Sequence, residues 1–167
     1  ASITKTLVAT AIMQLRDEGH LSLDDPLVEH VPEFAVVRDP FGQIHTVTLR
    51  GLLTHTSGLQ YVAPPAAARD PHANDDGLVT REQVLERLDR TAIVIPPGTW
   101  KYSNLAYELL GEVVRRVGGP SLGGYVKAHI LGPLGMGSTT FEPEGPLSDR
   151  CAIGYRVPRY EESQEPA

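Results

Sequence analysis

Helical periodicity at two widely separated places constrains this chain more than any other feature. From Ile3 to Glu18 the apolar residues Ile3, Leu7, Val8, Ala11, Ile12 and Leu15 recur three and four apart. Between Asn104 and Val117 the residues Leu105, Leu109, Leu110, Val113, Val114 and Val117 do the same. Each pattern predicts an amphipathic helix with one apolar face to bury. Gly19 stops the first and Gly118-Gly119-Pro120 the second, since glycine accepts the backbone turn that ends a helix and proline cannot continue one.

The intervening sequence is more broken. Leu21 to Phe34 mixes apolar residues with Asp24-Asp25-Pro26 and Pro32, which predicts turns and a short helix. Gln43 to Val47 is expected to form a short strand, and Thr48 to cap a helical turn carrying Leu49, Leu52 and Leu53. Tyr61 to Asp76, rich in Ala, Pro, Asp and Asn, reads as an exposed excursion. Thr80 with Gln83 makes a capping box for a helix from about Arg81 to Arg90, and Pro96-Pro97-Gly98 then forces a turn. A helix from Leu122 to Leu131 follows, capped by Ser121, and a strand is expected at Ala152 to Val157.

At 167 residues and 41% hydrophobic content, the chain fits one globular domain with a real core. The net charge of −6 and the scattered arginines argue against a nucleic-acid partner, which needs a concentrated basic patch. Cys151 stands alone, so no internal disulfide framework is available. No apolar run approaches the roughly 18 residues of a membrane span. The six histidines include no pair at helical metal-ligand spacing with a supporting carboxylate, so no metal site is expected. No phosphate-loop pattern occurs, and no cofactor is implied. His55 is expected to pack or cap, and Trp100 to be half-buried, with a substrate-pocket wall as its other reading.

Two short segments carry candidate chemistry. Ser2-Ile3-Thr4-Lys5 puts a hydroxyl and an amine three apart at a helix start, on one face and within hydrogen-bonding reach. A serine hydroxyl is a poor nucleophile at neutral pH, and a lysine desolvated in a cleft has its pKa lowered toward values at which it can accept a proton. The alternative is an N-cap serine followed by a surface lysine. Tyr102-Ser103-Asn104 is the second segment. Here a tyrosine near a lysine cation can shuttle a proton and an asparagine amide can bind a substrate carbonyl. Its alternative is that Ser103 or Asn104 caps the following helix while Tyr102 packs its ring in the core.

The order of these segments resembles the serine beta-lactamase and penicillin-binding-protein superfamily, in its class C beta-lactamase, D-alanyl-D-alanine carboxypeptidase and esterase branch. Ser2-Ile3-Thr4-Lys5 and the residues after it resemble the family's nucleophile helix, and Gly19 to Pro26 the segment that follows. Leu52-Leu53-Thr54-His55-Thr56-Ser57-Gly58-Leu59 is similar to another family motif. Pro97-Gly98 before Tyr102-Ser103-Asn104 resembles the second catalytic element, and Pro133-Leu134-Gly135-Met136 with Thr140-Phe141 a later landmark.

The resemblance implies an α+β fold of the beta-lactamase/transpeptidase type, of which residues 1–167 supply mainly the helical region with few strands. It implies Ser2, Lys5 and Tyr102 as catalytic residues and Asn104 as a substrate-binding residue. Acylation of Ser2 by an amide or ester follows, the substrate being a beta-lactam, a D-alanyl peptide or a short acyl ester. The backbone N–H of Ser2 would supply half an oxyanion hole. No Lys-Thr-Gly or His-x-Gly motif follows Tyr102. The expectation is therefore a partial domain lacking the preceding strands and the C-terminal sheet, with strands supplied by the rest of the protein. The resemblance points to the periplasm or the cell exterior, a cytoplasmic location also being open. A non-catalytic helical binding or scaffold module derived from the same fold is the competing reading.

Overall fold

The computed structural model describes residues 2–64, 80–142 and 145–151. The expected strand at 152–157 and most of the 61–76 excursion lie outside the described residues. Six α-helices occur among those described: α1 (Thr4–Asp17), α2 (Leu27–His30), α3 (Leu49–Leu53), α4 (Arg81–Glu86), α5 (Asn104–Gly118) and α6 (Leu122–Val126).

The two periodic stretches form the long helices and pack against each other. Helix α1 buries Val8, Ala11, Ile12 and Leu15, while α5 buries Leu105, Leu109, Leu110, Val113 and Val114 among others. Leu27, Phe34, Leu49, Leu52 and Leu88, all fully buried, extend this core beneath α5. Removing so much apolar surface from water, at about 25 cal/mol per Å², is what holds short and otherwise marginal helices in place. Gly19, with φ +78°, turns the chain out of α1 as expected.

Caps are where the chain states its own boundaries. The Thr48 hydroxyl accepts from the Gly51 N–H at 3.2 Å, and Ser121 from Gly124 at 3.0 Å. Thr80 and Gln83 form a reciprocal capping box at the start of α4. Two helices are shorter than expected. After Glu86 the chain tightens to a 3-10 turn at Leu88–Arg90, and after Val126 it widens to a π-type turn at Lys127–Leu131. The strand expected at 43–47 is a 3-10 turn, Ile44–Thr46. Ile44 and Val47 lie three apart, a spacing that places both on one side of a 3-10 turn rather than of a strand. Only isolated bridges, Pro26 with Thr48, Arg38 with Ala92 and Leu59 with Ile93, occur among the described residues.

The segment after α3 sets up the site. It runs through Thr54, a left-handed His55 (φ +60°), buried Ser57 and Gly58 (φ +75°) before Leu59 bridges to Ile93. A Cβ on Gly58 would lie 2.2 Å from the Ile95 carbonyl oxygen, so only glycine lets these two backbones approach.

Candidate active site

Ser2 precedes α1, whose N-cap position is Ile3 and whose first turn has no side-chain cap. Its carbonyl accepts the Lys5 N–H at 3.1 Å, but its hydroxyl turns elsewhere, to the Tyr102 phenol oxygen at 2.7 Å. The Lys5 ammonium reaches the same hydroxyl at 3.4 Å and donates to Asn104 Oδ1 at 2.7 Å. Four side chains from residues about a hundred positions apart thus meet at one point. The capping alternative for Ser2 is not what its hydroxyl does.

The second segment divides its labour residue by residue. Ser103 is extended (φ −140°, ψ 121°), so its neighbours project to the side opposite its own side chain. The Ser103 hydroxyl, fully buried, caps α5 by accepting from Ala106 N–H at 3.1 Å and donates to the Gln60 carbonyl at 2.7 Å. Tyr102 and Asn104 face Ser2 and Lys5 instead. Capping and site-building therefore coexist, and Tyr102 is half-buried rather than a core ring. Ser103→Ala is expected to cost about 1–2 kcal/mol of stability through the lost cap and buried hydrogen bond. Chemical denaturation measures it, and a loss below about 0.3 kcal/mol would show that the cap matters little.

Two further aromatic rings bound the site. Lys5 Nζ lies 5.1 Å from the Tyr102 ring centroid and 5.5 Å from that of Tyr107, within cation–π range of both. Tyr107 donates its hydroxyl to the Leu53 carbonyl at 2.9 Å, which ties α5 to the end of α3. The His55 ring stands 4.5 Å from Tyr102 and 5.2 Å from Tyr107. His55 does pack, as the sequence suggests, but it packs on the site. Its left-handed backbone costs a residue with a side chain about 1–2 kcal/mol.

The electrostatics follow from this crowding. Hydrogen bonds from Ser2 and Lys5, with the Lys5 charge, hold the Tyr102 phenol below its ordinary range. Desolvation, then the Lys5 charge, holds His55 below the ordinary histidine range. Glu108, one turn beyond Asn104, is raised by desolvation despite its overall exposure, with Lys5 opposing. A cleft of roughly 850 Å³ opens beside Ser2, Lys5 and Asn104 and continues past Val8, Leu85 and Leu122. Trp100 does not line it and is 68% exposed, which corrects the expectation of half-buried packing.

Tyr107 and Glu108 were not singled out in the sequence, where both look like ordinary members of an amphipathic helix. No helix among the described residues is long and apolar enough to cross a membrane.

The chain as a whole is similar to known proteins. The whole of residues 1–167 matches the family model described as Beta-lactamase. The chain is 33% identical over 156 residues to the putative penicillin-binding protein PbpX of Bacillus subtilis, covering 93% of this chain and 36% of that protein. It is 38% identical over 165 residues to esterase EstB of Burkholderia gladioli, covering 93% of this chain and 40% of that one. A beta-lactamase/D-alanine carboxypeptidase from Yersinia pestis, solved with citrate, superposes with a TM-score of 0.75 at 30% identity over 92% of this chain and 43% of its own. A class C beta-lactamase from Rhodobacter sphaeroides gives 0.67 at 25% identity, over 93% and 40%. The chain spans about a third of the length of the curated relatives it matches.

Proposed function

The chain belongs to the beta-lactamase family, and from that premise we propose that it carries the nucleophile and proton-handling groups of a serine hydrolase acting through an acyl-enzyme. The observation that supports this most is the 2.7 Å contact between the Ser2 hydroxyl and a Tyr102 phenol held below its ordinary range. In this reading Tyr102 takes the Ser2 proton as Oγ attacks the substrate carbonyl. The Oγ–C bond forms, the C–N or C–O bond breaks, and Tyr102 returns the proton to the departing amine or alcohol. Water then attacks the acyl-serine by the reverse route.

Lys5 acts as the cation that keeps the phenol acidic, and not as the first proton acceptor. It is farther from Oγ than Tyr102 and is held by Asn104 and two aromatic rings, all of which suit an ammonium. Asn104 has its amide nitrogen left to orient a substrate carbonyl while its oxygen holds Lys5. The Ser2 N–H, just ahead of α1, supplies one donor to the developing oxyanion. The substrate is an amide or ester of the beta-lactam, D-alanyl peptide or short acyl ester kind. No Lys-Thr-Gly or His-x-Gly motif follows Tyr102 within these 167 residues, which cover 30–40% of the length of the curated relatives they match.

Labelling tests this directly. The protein, with its flanking coding sequence, is incubated with a fluorescent penicillin and separately with a fluorophosphonate, and the adduct is located by mass spectrometry. A single adduct on the peptide bearing Ser2 is the expected result. An adduct on another residue, or none with either probe, overturns the proposal and leaves the non-catalytic module.

A further inference from the structure

His55 touches the main chain on both sides of Tyr102. Its carbonyl oxygen accepts the Lys101 N–H at 2.7 Å, and its Nδ1 accepts the Ser103 N–H at 3.3 Å. Between these two bonds its ring lies against the Tyr102 ring at 4.5 Å. The left-handed backbone at His55 is what points carbonyl and imidazole toward the same tripeptide. The other face of this arrangement is fixed too, since Asn104 N–H and Leu105 N–H both donate to the Tyr61 carbonyl, at 2.7 and 3.2 Å. The Tyr102 phenol itself meets Ser2 and Lys5, both on the side of the reacting hydroxyl. Its position is therefore set through its neighbours.

We infer that His55 is a positioning residue for Tyr102, holding the phenol on the Ser2 hydroxyl, and that it does so only as a neutral imidazole whose unprotonated Nδ1 accepts the Ser103 N–H. The inference rests on the acylation reading given above. Protonation turns Nδ1 from acceptor to donor, so it breaks the bond to Ser103. It also places a second cation near Lys5. The charged and titratable groups facing the imidazole are Lys5 from α1, Tyr107 from α5 and Tyr102 from the lead-in to α5, while Lys101 meets His55 through its main chain. Burial and Lys5 both oppose the imidazolium. Acylation should therefore fall on an acid limb centred below the ordinary histidine range.

Two substitutions separate this role from simple packing. His55→Asn keeps a short side-chain acceptor and suits a left-handed backbone, whereas His55→Leu keeps bulk without an acceptor. In the protein with its flanking sequence, the acylation rate of Ser2 by fluorescent penicillin is followed across pH. His55→Leu is expected to lower it by about 10- to 100-fold, the scale of a small misplacement of a reacting group. His55→Asn should restore most of the rate and lose the acid limb. In parallel, imidazole 15N NMR of the wild type should show Nδ1 unprotonated and Nε2 protonated at neutral pH. A folded His55→Leu variant at wild-type rate, or a His55→Asn variant with the wild-type acid limb, overturns the inference. A protonated Nδ1 at neutral pH overturns it whether or not either variant folds. Wild-type protein that shows this tautomer yet takes no label sinks the acylation reading, and this role with it, while leaving the clamp geometry standing.

Discussion

Lys5→Met is expected to slow acylation of Ser2 by about a thousandfold and to move what reactivity remains to higher pH. Methionine preserves the length of the apolar stem, so α1 keeps its packing while the ammonium goes. Lys5 contributes a hydrogen bond and a charge to the lowering of the Tyr102 phenol, and without them that phenol returns toward its ordinary range. The Ser2 hydroxyl then faces a base that is protonated at neutral pH. The rate should recover partly as pH rises toward the ordinary range of a tyrosine, on a limb displaced to higher pH than that of the wild type, whose phenol is held lower. Ser2→Ala, by contrast, should abolish the adduct at every pH. Stopped-flow acylation with a fluorescent penicillin measures both. A Lys5→Met rate within about fivefold of wild type, or an unshifted pH profile, would remove Lys5 from the proton pathway.

How much of this was visible beforehand depended on how local each determinant is. The long helices, the Gly19 stop and the caps at Thr48, Thr80 and Ser121 depend on residues within four positions of one another, and they stand where the sequence puts them. The 43–47 segment misleads because Ile44 and Val47 suit a 3-10 turn, which the Leu27 N–H, donating to the Val47 carbonyl at 2.8 Å, ties to α2. Ser2 is harder. A Ser-x-x-Lys reads equally as a cap, and the difference is where one hydroxyl points, which Tyr102 decides from a hundred residues away. Ser103 and Tyr102 could not be assigned separate duties until the extended backbone at Ser103 divided them.

The same logic explains what sequence reading missed. His55 sits in a motif that resembles a family landmark, but its relation to Tyr102 requires a positive φ and contacts from 48 residues away. Neither leaves a periodic trace. Tyr107 and Glu108 fall within a helix whose apolar pattern already explains their neighbours, so nothing marks them until the cleft between α1, α4 and α5 is formed.

The scaffold beneath the site depends on a single buried charge, and Glu112→Gln is expected to cost about 3 kcal/mol at neutral pH, a loss that fades in acid. The Glu112 side chain is only 2% exposed, on the same helix as Asn104. It accepts from Arg115 at 2.8 and 2.9 Å, from Arg116 at 2.5 Å and from Arg81 at 3.4 Å, which joins α4 to α5. Arg116 continues to the His30 carbonyl at 3.2 Å and to Glu33 at 2.8 Å, so the segment after α2 is held by the same network. Burial alone would raise this carboxyl, but the Arg115 and Arg116 hydrogen bonds and charges outweigh it and lower it from 4.5 to about 2. At ~1.4 kcal/mol per tenfold change in proton affinity, that difference amounts to roughly 3 kcal/mol. Because the folded value lies below the unfolded one, this stability is fully present above about pH 4.5 and is lost as pH falls through about 2. Glutamine keeps the shape and one acceptor oxygen but not the charge, and the three arginines, each partly exposed, can turn to water. Urea unfolding of both proteins between about pH 2 and 7 should show a gap that is constant above about pH 5 and nearly closed at the acid end. A gap of similar size at every pH would mean that the glutamine is simply a poor fit, and that the charge of Glu112 contributes little to holding α4 and α5 together.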